Sequence, residues 1–125
     1  MPRPEPRQHA RDAAAAIREL NHATLSLESM PYAGEVSANV LALIELVDRL
    51  PQALDQLEAG LLSLEQRGQI RLDHDADLRG EVAAAVKGLR DARGGLGGVS
   101  KALGAASAPL FHMGAPYVAD EGDED

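Results

Sequence analysis

From Val36 to Leu64 apolar residues return in alternating steps of four and three: Val36, Val40, Leu43, Val47, Leu50, Leu54, Leu57, Leu61, Leu64. That spacing gathers side chains on one side of a helix, and a seven-residue period held this long marks a helix that packs lengthwise against another. The seam predicts a helix over residues 33–67. Gly68 follows as its stop signal.

Pro51 lies inside this run, where it removes one ladder hydrogen bond and crowds the carbonyl of Val47. Two readings fit: one helix kinked at Pro51, or a restart with Asp48 as N-cap and Pro51 in the first turn. The seam keeps its phase through the proline, so a single kinked helix is the expectation.

A second unbroken seam runs Leu78, Val82, Ala85, Leu89, Ala92, Leu96, Val99, Leu103, Ala106. It predicts a helix over residues 75–107, capped by Asp73 or Asp75 and stopped by Pro109. Ahead of the first seam, Ala13, Ile17, Leu20, Thr24 and Leu27 give a weaker one, predicting a helix over residues 7–28 that Met30-Pro31 ends. With 22 Ala and 18 Leu against one Phe and no Trp, the composition favours helix throughout.

The two long helices match in length and so form the arms of an antiparallel hairpin. A turn near residue 71 sets Pro51 beside Asp91 and Asp48 beside Gly94. Pro51 and the cluster Gly94, Gly95, Gly97, Gly98 then sit at nearly one level, where both helices weaken and share a hinge. Helix 1 folded back about residue 31 reaches only residues 33–55, which closes a three-helix bundle in that half. The expected fold is therefore all-α, a three-helix bundle built on a long antiparallel helical hairpin, with helix 2 kinked at Pro51.

Two helices alone cannot cover the leucines of the other half. Leu54, Leu57, Leu61, Leu64, Leu78, Val82, Val86 and Leu89 are the expected interface, and its expected occupant is a second copy or a helical protein partner.

The 125 residues predict one domain over residues 1–118. Residues 119–125 carry five of the 20 acids and no base, and are expected to form a disordered acidic tail. The rest of the chain is nearly balanced, without the basic footprint that phosphate contacts need, so nucleic acid is not an expected partner. A regulator contacting DNA through Arg3, Arg7, Arg11 and Arg18, or binding a DNA-binding protein, is the alternative. Apolar runs of a few residues exclude a membrane span, and the start MPRPEPRQHARD has no signal-peptide core, which makes the cytoplasm the expected compartment.

Chemistry-bearing patterns are sparse. Without Cys there is no thiolate site. Glu19 and His22 have the spacing of a di-iron helix pair but occur once. Asp73, Asp75 and Asp77 alternate like a calcium loop, yet its sixth and twelfth positions hold Leu78 and Ala84. Gly94 to Gly98 before Ser100 and Lys101 lacks the residue order of a phosphate loop. No metal, cofactor or catalytic residue is expected, and an enzyme is not the expected class.

The stretches Arg18-Glu-Leu-Asn-His-Ala-Thr24, Pro31-Tyr-Ala-Gly-Glu-Val36 and Arg49-Leu-Pro-Gln-Ala-Leu-Asp-Gln-Leu57 resemble a group of small helical actinobacterial proteins often met near plasmid, phage or integrated-element genes. The ten Arg against two Lys agree with a GC-rich source. The resemblance covers roughly residues 10–70 and implies no activity. Tyr117-Val-Ala-Asp-Glu121 is similar to the tail signal of type VII secretion substrates, which would imply export, although the Trp of their turn is missing.

Overall fold

The computed structural model describes residues 3–114. Three α-helices run in order: α1 (Pro6–Ala23), α2 (Ala33–Gln66) and α3 (Leu78–Leu110). The described residues hold no strand. The acidic tail, Tyr117 and Glu121 lie outside them.

Helix α1 stops at Ala23, five residues short of its expected end. Thr24 turns its hydroxyl back onto the carbonyl of Leu20 at 2.9 Å, and Ser26 opens a separate 3₁₀ turn over Leu27–Ser29. Side chains that bond their own backbone compete with the next helical turn. Leu25 and Leu27 are left in solvent.

Helix α2 runs unbroken through Pro51, so the restart at Asp48 is not used. It closes on Gly68, whose φ of 66° is a left-handed conformation that favours glycine. The Gly68 amide donates to Glu65 and the Gln69 amide to the carbonyl of Leu64, at 3.1 and 2.9 Å, the bond pair of a Schellman stop.

Helix α3 starts at Leu78 rather than 75, because Asp77, and neither Asp73 nor Asp75, takes the extended N-cap backbone and accepts the first helical bond, from Glu81. It also passes Pro109, where the sequence predicts a stop. The Phe111 amide reaches the Ser107 carbonyl at 2.9 Å, so one missing donor in the last turn does not end the helix.

Three polar pairs fix how α2 and α3 lie together. Asp48 meets Ser100, Asp55 meets Arg93 and Glu58 meets Arg90. Seven residues forward on α2 match seven backward on α3, and three match three, so the arms are antiparallel. This register differs from the expected one by six residues. Asp48 faces Ser100 instead of Gly94, and Pro51 stands level with Gly97 instead of Asp91.

The face that α3 turns inward also differs from its predicted seam. Leu78, Val82, Leu89, Leu96 and Leu103 are buried or half-buried as expected, and Leu110, beyond the expected end of the helix, continues the row. Ala85, Ala92, Val99 and Ala106 are exposed, and the neighbouring row Val86, Arg93, Ser100 and Ser107 takes their place. The three polar pairs explain the rotation, since Arg93 and Ser100 must face α2 to reach Asp55 and Asp48.

Only Val82 and Val86 are buried among the described residues, at 6% and 9% exposure. Helix α1 buries none; Ile17, Leu20 and Thr24 are half-covered. Its first turns border α2 across an open groove, with Pro6, His9 and Ala10 on one side and Leu50, Ala53 and Leu57 on the other.

Two glycine substitutions should move stability in opposite directions in urea unfolding followed by helical circular dichroism. Gly68→Ala forces a side chain into the left-handed region and should cost about 1 kcal/mol. A Cβ at Gly95 meets nothing within 4 Å, so Gly95→Ala should stabilise α3 by about 0.5–1 kcal/mol.

Candidate helix-docking face

Between residues 50 and 66, α2 carries three charged side chains: Asp55, Glu58 and Glu65. Two of them reach across to α3. The Arg90 Nε donates to Glu58 Oε1 at 2.6 Å, and Arg93 donates to Asp55. The bond and the charge of Glu58 hold the Arg90 guanidinium above its ordinary pKa. Glu65 is half-buried.

The outward side of α2 is consequently free of charge. It carries Leu50, Leu57 and Leu64, with Ala53 and Gly60 spaced between them and Gln52, Gln56, Ala59 and Ser63 alongside, all exposed. The leucines are 37%, 60% and 38% exposed. Leucine is ordinarily among the most buried residues, and three of them seven residues apart in solvent form a continuous row on one helix.

The outer side of α3 differs. There Lys87 donates to Asp91 at 2.6 Å, a solvated pair one helical turn apart in which the carboxylate raises the lysine pKa through its hydrogen bond and charge.

Beside the leucine row lies an open groove of about 600 Å³, lined by Pro6, His9 and Ala10 of α1 and by Leu50, Ala53, Gln56 and Leu57 of α2. Helix α1 borders the row without filling it, and Leu57 keeps most of its surface in water.

The residues expected at the interface fall into three groups. Leu57 and Leu64 are exposed on the outer face. Leu54, Leu61, Leu78 and Leu89 are half-buried, and Val82 and Val86 are covered within the single chain. The α3 residues Val82 and Val86 thus belong to the hairpin's own core. Leu50, Ala53 and Gly60 complete the exposed row; the signal for them was the seven-residue step and the absence of outward charge.

Gly94, Gly95, Gly97 and Gly98 are exposed helical residues, and a Cβ at any of them meets nothing within 4 Å, so no close backbone approach requires them. Their place inside α3 also removes the loop that a phosphate site needs. The His74 ring Nδ1 donates to the Asp73 carboxylate at 2.6 Å in the exposed turn, and the described residues contain no group of three His, Asp or Glu side chains placed to hold a metal. None of the described helices is long and apolar enough to cross a membrane. No family model, curated protein or solved structure matches the chain.

The bridges across the hairpin should contribute alignment more than strength, because three of their four side chains, Arg90, Arg93 and Asp55, stay 40–57% exposed. Glu58→Gln with Asp55→Asn should leave helix content nearly unchanged and weaken the salt dependence of the urea midpoint. A midpoint that stays as salt-sensitive as before would show that these pairs do not align the arms.

Proposed function

We propose that this chain is a non-enzymatic helical interaction protein, an adaptor that associates with a second copy of itself through the distal half of the α2–α3 hairpin. The observation that carries the reading is the uncharged row Leu50, Leu57, Leu64 in solvent, on a chain in which 26% of residues are charged. A further support is area. The chain exposes 10307 Å², where a compact globule of its mass exposes roughly 6,400 Å². The surplus exceeds the roughly 800 Å² that each partner covers in a standard interface.

In this reading Leu57 and Leu64 carry the contact, and half-buried Leu54, Leu61, Leu78 and Leu89 support it from the hairpin side. Helix α1 completes a three-helix bundle with the proximal arms. Pro51 and Gly97, at one level, mark a bend where the distal arms tilt to meet their partner. The proline lacks an amide donor and the glycines lower helix propensity at the same height, which favours a bend there. The protein acts in the cytoplasm and belongs to the actinobacterial group it resembles.

Light scattering on a sizing column across a concentration series tests this. The expected mass is twice 13.2 kDa, and Leu57→Asp with Leu64→Asp should return it to the monomer value with helical circular dichroism retained. A wild-type monomer at every concentration overturns the reading, as does a double variant that still forms the dimer.

A further inference from the structure

The row on α2 has a second periodicity that decides how two copies meet. Leu50, Leu57 and Leu64 alternate with positions three residues on, Ala53 and Gly60, and Leu46 stands at the corresponding place before Leu50. The row is thus a heptad seam of its own, separate from the inward rows of Val40, Val47, Leu54 and Leu61. Large and small residues alternate along it.

In a parallel pair each residue of such a seam meets its own copy. Leucine would face leucine at one level and glycine would face glycine at the next, so contact at the leucines would leave gaps at Ala53 and Gly60. In an antiparallel pair, the first position of one heptad meets the fourth of the other. Leu57 then sits on Ala53 of the second copy, Leu50 on Gly60 and Leu64 on Leu46. The central layers hold one leucine and one small residue each, and have even thickness, as close packing requires.

Resting on the self-association proposed above, we infer that the second copy docks antiparallel along α2, with the twofold axis between Ala53 and Leu57. Gln56 of each copy lies beside the axis and meets its counterpart. Asp55 and Glu58 are engaged with Arg93 and Arg90 and stay out of the contact, and Arg49, one heptad before Gln56 and paired with Glu45, stands opposite Ser63 at either end of it. The start of α1 borders this seam at Leu50, Ala53 and Leu57. Docking requires only the first turns of α1, Pro6 to Ala10, to move aside while the rest stays beside the proximal arms; because α1 buries no side chain, those turns hold that place weakly.

The chain contains no cysteine, so a single introduced thiol reports one distance without interference. Gln56→Cys and Gly60→Cys, both at exposed positions, are oxidised separately in the full-length protein, and the covalent dimer is read on a non-reducing gel. Antiparallel docking brings the Gln56→Cys thiols together and places the two Gly60→Cys positions about 15 Å apart along the axis at 1.5 Å per residue, beyond the roughly 7 Å reach of a disulfide.

The expected result is ready cross-linking of Gln56→Cys and little of Gly60→Cys. Cross-linking of Gly60→Cys overturns the antiparallel seam, and so does the failure of both variants when light scattering still gives a dimer; in either case self-association stands. A monomer by light scattering overturns both readings together.

Discussion

The structure depends on one constraint: two helices of more than 30 residues each must stay in a single register while burying almost nothing completely. Apolar contact alone does not choose a register between two rows of similar residues, because sliding by a heptad exchanges one leucine for another. The choice is made by the polar pairs at the edge of the contact. Asp48, Asp55 and Glu58 are acids on α2, and their partners on α3 are a hydroxyl and two guanidinium groups. A slip of seven residues would leave at least one of these acids without its partner.

The same pairs account for the bare outer face. Drawing Asp55 and Glu58 toward α3 removes them from the solvent side of α2, where leucine, alanine, glycine and uncharged polar residues remain. Internal alignment and external apolarity are therefore two results of one arrangement of charge. Elsewhere the helix surfaces carry ordinary solvated pairs such as Arg49 with Glu45, at 2.6 Å one turn apart.

Helix content was readable from the seams, and α2 came within one residue of its expected bounds because both of its ends carry unambiguous chemistry, Pro31 before it and Gly68 after it. What the sequence left open was which of several caps would act. Asp73, Asp75 and Asp77 are equally good candidates by residue type, and only the packed hairpin selects Asp77. The register moved by six residues as well, and with it the partner of Pro51, because the polar pairs across the hairpin set it. The rotated face of α3 was hidden for a related reason. Arg93 and Ser100 look like surface residues in a hydrophobic pattern, and their inward role exists only opposite Asp55 and Asp48. Of the candidate interface, the outward leucines were legible from the count of apolar faces against available helices. The burial of Val86 inside the hairpin was not, because periodicity groups residues by face without saying which face meets which.

A core made of two valines and a file of half-covered neighbours is a line and not a volume. Each layer touches chiefly the layers before and after it, as in a stack of repeats, and the stability of the hairpin is then close to a sum along its length. Such a stack opens from its free ends inward. Amide hydrogens near Val82 and Val86 would exchange last, those toward Leu110 and Ala33 would exchange progressively sooner, and the molecule would melt as a zipper whose clasp is at the turn.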